Sequence, residues 1–311
     1  MKKTGEKRPI LITGNDRLSF SIAVCLLQSG DTVTLHTSDV ELARKRIVCH
    51  IEDAAKIGLG EFDRNNIEIT DHLCDDAYSM AIAITNEDLN EKRTIIADLE
   101  QRLDKGAIIA INTESISMAD LQEGANAPER IIGVNWTEPA HTTYFLEILT
   151  SNINKKELVE ALNQKAINNW NKDPYTVHNA ISIRSRLFSA MVREAFYLVE
   201  NGYATVQDID RACRNDAGYY LPFAGNFRYM DLMGTYSYAE VMKKLNADLS
   251  KDNHIPDFFS DIISNGDVGM KSNKGFYNYE NGDVEHWNKL FAKFSYKIHE
   301  IITKYPFNDK A

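Results

Sequence analysis

Residues 9 to 36 constrain this chain more than any other segment. An apolar run, Pro9-Ile10-Leu11-Ile12, ends at Gly14. In residues 20 to 29, Ile22, Ala23, Leu26 and Leu27 recur at helical spacing, and Thr32-Val33-Thr34-Leu35-His36 has the pattern of a second strand. Strand, tight turn, helix and strand in this order open a doubly wound parallel sheet. The alternation continues. Ala81-Ile82-Ala83-Ile84 is expected as a third buried strand, Glu91 to Leu103 as an amphipathic helix, and Ala107 to Ile111 as a fourth strand. Arg130 to Asn135 and Tyr144 to Leu149 complete it, and Pro174 marks the expected hinge to the second half.

From His178 onward the strand pattern disappears. Ile183 to Glu200 places Leu187, Met191, Ala195 and Leu198 on one helical face. Thr205-Val206-Gln207-Asp208 is a capping-box variant, with a hydroxyl at the cap and an acid three residues later. Helices are expected over residues 237–249 and 256–264. A last one, about 284–304, has Trp287, Leu290, Phe291, Phe294, Ile298 and Ile301 on one stripe that needs a partner surface. The expected organisation is an α/β nucleotide-binding domain over 1–176 and an all-helical substrate and dimerisation domain over 177–311.

Composition narrows the function classes. The formal net charge is −10, and no Lys/Arg run is long enough to track a phosphate backbone, which argues against nucleic acid. The basic start, Lys2-Lys3 through Lys7-Arg8, precedes too short an apolar run for a secretory segment or a membrane span and reads as a solvated tail. Cys25, Cys49, Cys74 and Cys213 form no CxxC or Cys/His cluster, so buried free thiols in a reducing, cytoplasmic compartment are expected. No histidine pair has metal-ligand spacing, and no metal is expected.

The chemistry is carried by a few short motifs. Arg130-Ile131-Ile132-Gly133-Val134-Asn135-Trp136-Thr137-Glu138-Pro139, followed by Leu146-Glu147-Ile148, resembles the active-site segment of the 3-hydroxyacyl-CoA dehydrogenase family. Glu87 with Lys92, the run Asn112-Thr113-Glu114-Ser115, and Glu194-Ala195 through Asp208-Ile209-Asp210 fit the same family in the same order. So does Gly266 through Lys271-Ser272-Asn273-Lys274-Gly275-Phe276-Tyr277 and Tyr279. The resemblance covers about residues 9 to 280. It implies a Rossmann-type domain followed by a helical domain, NAD as cofactor, a small acyl substrate of fatty acid metabolism, and a homodimer through the second domain. It also implies that Glu87 and Lys92 contact the nicotinamide ribose and that Asn112 belongs to the cofactor site.

Within that resemblance the site has changed. The family's active-site serine, histidine, glutamate and asparagine map without gaps onto Glu114, Asn135, Glu147 and Ser185. The histidine accepts the proton of the 3-hydroxyl while hydride leaves for NAD, and the glutamate orients it. An amide at position 135 takes up no proton near neutral pH. Two readings stand: a working NAD-dependent dehydrogenase with altered substrate or acid–base chemistry at Glu114 or Glu147, and a non-catalytic binding or interaction protein. The glycine-rich loop reads Gly14-Asn15-Asp16-Arg17-Leu18-Ser19-Phe20-Ser21. Asp16 stands where a glycine lets backbone approach the pyrophosphate. At 4–5 Å a carboxylate repels a phosphate by about 3–4 kcal/mol at an effective dielectric of 20. Arg17 offsets this if it folds over the phosphates, and Ser19 is small enough for its place. Thr37 replaces the acid that binds the adenine ribose, with Asp39 nearby as a substitute after a local shift, which leaves only a weak preference for NAD over NADP. The interval from Thr37 to Ala81 lacks the family's basic helical hairpin and carries Asp53, Glu61, Asp63, Asp71, Asp75 and Asp76, which disfavours a CoA tail. Tyr219, Tyr220 and Phe223 are expected to pack between helices or subunits, or else to narrow the cleft.

Overall fold

The computed structural model describes residues 8–56, 58, 62–73 and 78–306. Lys2, Lys3, Lys7, Glu61, Cys74, Asp75 and Asp76 lie outside them. Among the described residues the first unit is built from β1 (Ile10–Thr13), α1 (Arg17–Gln28), β2 (Val33–His36), α2 (Val40–Lys56), β3 (Ile67–Thr70), β4 (Tyr78–Ala83), α3 (Leu89–Arg102), β5 (Leu103–Ile111), α4 (Met118–Gln122), β6 (Ile131–Trp136), β7 (Phe145–Thr150), α5 (Lys156–Asn168) and β8 (Asp173–His178). The sheet order is β3-β2-β1-β4-β5-β6-β7-β8. Neighbours are parallel except β6 and β7, which run antiparallel. The order reverses between β2-β1 and β4-β5, so β1 and β4 flank the switch point where an open α/β sheet leaves a crevice at its carboxyl edge.

Strand alternation sorts the core onto two faces. Ile10 and Ile12 pack with Phe20, Leu26, Ile47, Leu162, Trp136 and Trp170 under α1, α2 and α5. Leu11 faces the other way, with Ile96, Leu99, Met118 and Leu121 of α3 and α4. Gly14 ends β1 because a Cβ there would lie 2.1 Å from the Ser19 hydroxyl.

Three expectations need correction. The strand near Ala81 is the fourth in the chain; Ile67–Thr70 precedes it as a four-residue edge strand with one buried residue, too short and too exposed to announce itself. Pro174 lies inside β8 and is no hinge. β8 is the outer strand, where a missing N–H is tolerated. Cys49 is exposed, and only Cys25 of the described cysteines is buried, because Cys49 falls on the outer face of α2.

The chain divides after Ser185, and the second unit starts at Arg186. It carries most of α6 (Ile183–Glu200), then α7 (Val206–Ala212), a π turn over Cys213–Ala217, α8 (Gly218–Met233), α9 (Thr235–Leu245), α10 (Asp257–Ser264) and α11 (Asp283–Lys304). The Thr205–Asp208 capping box forms as expected at the start of α7. The C-terminal motif builds a turn. Gly266 and Gly269 have positive φ, and a Cβ on Gly275 would meet the Gly269 Cα at 3.0 Å. Its Phe276 stacks on Phe259 at 5.4 Å between ring centroids, with Phe196 beside them. Tyr220 stacks on Tyr229 at 4.1 Å, whereas Tyr219 is 81% exposed.

Candidate active site

Asn135 and Glu147 face each other across β6 and β7, where the antiparallel register pairs them directly. Both are buried. The Asn135 Nδ2 donates to Glu147 Oε2 at 2.9 Å and to the Thr113 carbonyl at 2.7 Å, while its Oδ1 accepts from the Thr113 N–H at 2.9 Å. The amide thus ties the end of β5 to β7 and spends both of its N–H groups inside the protein. The other Glu147 oxygen accepts from the Tyr175 hydroxyl at 3.0 Å and from the backbone N–H groups of Ile183 and Arg184, at 2.8 and 3.3 Å, at the start of α6. A carboxylate at a helix N-terminus is favourably placed. Burial pushes the Glu147 pKa up, but hydrogen bonds from Ser182, Asn135, Tyr175 and the Arg184 backbone outweigh it and hold it below the usual value. Burial, with Glu147 alongside, raises the Tyr175 phenol well above its ordinary range.

Glu114 and Ser185 also meet. One Glu114 oxygen accepts from the Arg184 guanidinium and the other from the Ser185 hydroxyl. Arg184 donates through Nη1 to the Trp136 carbonyl and to Thr137 Oγ1, each at 3.2 Å, and lies 5.2 Å over the Phe145 ring. All four positions singled out in the sequence therefore converge, as two directly bonded pairs. Arg184, Tyr175 and Ser182 join them and were not foreseen, and Thr113, named only within its motif, joins through its backbone N–H and carbonyl. Arg184 carried a weak signal, a cation next to Ser185 at the helix start, with Arg186 equally close in the chain. The others act through backbone groups or across strands, which no motif spells out.

Glu87, Lys92 and Asn112 form a second cluster at the ends of β4 and β5. Glu87 Oε1 accepts from the N–H groups of Glu114, Ser115 and Ile116, at 2.9, 2.6 and 3.1 Å, and its other oxygen lies 3.3 Å from Lys92 Nζ. Lys92 is fully buried and donates to Thr85 Oγ1 and the Asn112 carbonyl. Burial lowers its pKa against the opposing pull of Glu87. For Glu87 burial acts upward, yet the loop N–H groups and Lys92 together bring it below its usual value. Asn112 bonds the backbone of Thr85 through both ends of its amide.

At the start of α1, Asp16 is the N-cap. Its Oδ1 accepts from the Ser19 N–H at 2.8 Å and from the Ser19 hydroxyl at 2.6 Å. Arg17 pairs with Glu138, Nε to Oε1 at 2.8 Å. Its charge also reaches His50, whose imidazole is pushed down to about 4 by burial first and by Arg17 and Arg46 next. Asn15 Oδ1 accepts from the Thr37 hydroxyl and from the Ser38 N–H and hydroxyl, at 3.0, 2.7 and 3.0 Å. Asp39 bonds the Leu42 N–H at the start of α2. For a dinucleotide the shape of this crevice fits, with a bare Gly14 and a helix N-terminus at the switch point. Its charge does not: a carboxylate caps the helix where a pyrophosphate would be held. Among the described residues no three His, Cys, Asp or Glu form a metal site, and no helix is long and apolar enough to cross a membrane.

Comparison with known proteins agrees with this layout. The NAD binding domain of 3-hydroxyacyl-CoA dehydrogenase matches residues 10–180, and the C-terminal domain of the same family matches residues 183–279. A 5-formyl-3-hydroxy-2-methylpyridine 4-carboxylate 5-dehydrogenase of Mesorhizobium japonicum is 25% identical over 281 residues, covering 88% of this chain and 91% of the relative. The 3-hydroxyadipyl-CoA dehydrogenase of Escherichia coli is 23% identical over 282 residues, 87% of this chain but only 58% of that protein. A solved 5-formyl-3-hydroxy-2-methylpyridine 4-carboxylic acid 5-dehydrogenase, described as an NAD+ dependent dismutase, superposes with a TM-score of 0.87 at 23% identity over 96% of this chain and 99% of the other. The (S)-3-hydroxybutyryl-CoA dehydrogenase from Ralstonia eutropha gives 0.68 at 20% identity, over 89% and 100%. At these identities the two structures speak for the fold.

Proposed function

The chain belongs to the 3-hydroxyacyl-CoA dehydrogenase family, and from that premise we propose that it keeps the family's fold and a small-molecule site but not the family's oxidation of a 3-hydroxyl group. One observation carries this reading. Asn135, at the position of the proton acceptor, commits both N–H groups and its carbonyl to Thr113 and Glu147. An amide so placed accepts no proton, and losing general-base assistance alone costs roughly 10²- to 10⁴-fold in rate. Glu147 offers no replacement, because its oxygens already accept from Asn135, Tyr175 and the start of α6. Asp16 at the α1 cap works against dinucleotide binding in the same sense.

The ligand is a small acyl-type or aromatic molecule and not a CoA ester. The described residues of the interval after β2 carry Asp53, Asp63, Glu68 and Asp71, and between Lys56 and Ala81 Arg64 is the one Lys or Arg among them, which disfavours a polyanionic tail there. A cytoplasmic homodimer formed through the second unit completes the proposal. No nucleic acid or metal is part of it.

The test is direct. Purified protein and Asn135→His are given 3-hydroxybutyryl-CoA with NAD+, and NADH is followed at 340 nm as an order-of-magnitude rate comparison with an authentic dehydrogenase. Neither is expected to turn over, since the histidine would still face Glu114 and Ser185 where the family has a serine and an asparagine. NADH formation by either protein overturns the proposal.

A second reading has its own support. The Glu87–Lys92–Asn112 cluster is intact, and the Mesorhizobium relative is named as a dehydrogenase of a pyridine carboxylate. On that reading the chain is an NAD-dependent oxidoreductase of a small non-thioester substrate, Glu147 or Glu114 manages the proton, and Glu147→Gln abolishes turnover.

A further inference from the structure

We infer that Arg184 is a seat for the carboxylate of the small ligand, which narrows the proposed small-molecule site to a carboxylate-bearing class and rests on the existence of that site. A guanidinium presents five N–H donors in a fixed plane. Two on Nη1 are spent on the Trp136 carbonyl and Thr137 Oγ1, and one on Nη2 goes to Glu114. The Nε–H and the second Nη2–H find no acceptor among the described residues. Two such donors match the two oxygens of a carboxylate.

The group is also held in place. The Trp136 and Thr137 bonds fix one end of the guanidinium, and Phe145 lies 5.2 Å beneath its face. Its side chain stays 36% exposed, so a ligand reaches it. The Arg184 backbone N–H donates to Glu147 at 3.3 Å, so the residue that bears the guanidinium is bonded to the Asn135–Glu147 pair. A lysine would satisfy Glu114 equally well as a point charge; it would not supply a planar pair of donors over an aromatic ring.

Glu114 sharpens the inference. Its carboxylate is bound by Arg184 and the Ser185 hydroxyl together, so this corner already holds one carboxylate through two kinds of donor. Glu114 is 31% exposed and shares the guanidinium with whatever binds there. A ligand carboxylate joins it on the free donors or displaces it, and in both cases the negative charge of Glu114 opposes binding. Removing that charge must strengthen binding, and removing the Arg184 fork must weaken it. A purely structural ion pair would give neither pattern.

Benzoate is the probe, with benzamide as its uncharged counterpart, titrated into the whole protein by calorimetry and by ligand-observed NMR. Benzoate is expected to bind and benzamide to bind at least about tenfold more weakly, the ratio of one lost charge-assisted contact. Arg184→Gln should lower benzoate affinity at least about tenfold, Arg184→Lys should recover only part of it, and Glu114→Gln should raise it several-fold. Glu114→Gln keeps the Ser185 contact geometry, and it remains informative should Arg184→Gln fold poorly. Equal affinity for benzoate and benzamide, unchanged binding in Arg184→Gln, or weaker binding in Glu114→Gln overturns the assignment. Turnover of 3-hydroxybutyryl-CoA would sink the functional proposal while leaving this result to stand or fall by the titrations.

Discussion

An asparagine has two amide hydrogens and a carbonyl, and at position 135 each is matched by a buried partner. Side chains so satisfied act as struts. Asn135→Leu, close in volume, would leave Glu147 Oε2 and both Thr113 backbone groups without that partner in a dry site. A loss of roughly 2–4 kcal/mol in urea unfolding is expected, and a loss below about 0.5 would refute the strut role. Glu147 adds a pH signature. Its folded-state pKa lies below the ordinary carboxylate value, so its contribution to stability is complete above that value and disappears as pH falls through the lower, folded one. The stability difference between the protein and Glu147→Gln should therefore be largest near neutral pH and shrink below about pH 4.5. A difference that is flat with pH would mean that the carboxylate charge is not what the α6 start requires.

At the scale of one element, α1 shows how a local rule and a functional role can compete. Asp16 is a good N-cap: it satisfies the Ser19 N–H and takes the Ser19 hydroxyl as well. The same carboxylate lies where a helix N-terminus would otherwise hold phosphate. Asp16→Gly should therefore cost at most about 1 kcal/mol of stability, the lost cap, and raise NAD+ affinity by at least tenfold, since about 3–4 kcal/mol of repulsion is relieved. Calorimetric titration of both proteins with NAD+, NADH and NADP+ checks it; equal affinities would show that Asp16 does not govern the crevice. Arg17, next to Asp16 in the chain, pairs with Glu138 beyond β6, so part of its charge is engaged by a different carboxylate.

For the whole molecule the second unit poses the larger question. Beyond Ser185 the fully buried described residues are Ala224, Ser250, Pro256 and Tyr296. Meanwhile Phe188 is 61% exposed, Phe227 83% and Phe294 63%. A unit of this size with so little interior lacks the apolar burial that offsets chain entropy. A second copy of the same unit supplies it most economically, as in the apolar interfaces of obligate homodimers. Sedimentation equilibrium should give a dimer at micromolar concentration, and Phe294→Glu should shift it towards monomer with loss of helix signal. A stable, fully helical monomer would rule this out.

The layered α/β architecture was legible from residues 9 to 36 because a short apolar run ending at Gly14, a helix with a 3.6-residue period and a second short strand each declare themselves locally and need no distant partner to do so. The family motifs fixed which positions meet: Glu114, Asn135, Glu147 and Ser185 do converge. What they do on meeting was decided in three dimensions. β3 escaped notice because four half-exposed residues carry little periodic signal, and β8 because a proline reads as a break until its edge position is known. Arg184 was invisible as a site residue because its partners, Glu114, Trp136, Thr137 and Phe145, come from the loop after β5, the end of β6 and the residue after it, and β7, as much as 70 residues away. The sequence by itself determined that position 135 holds no base. Only the tertiary structure decided that its amide is a strut, that Asp16 caps its own helix, and that an arginine fork stands open beside them, because hydrogen-bond partners are set by where strands end in space and not by their order in the chain.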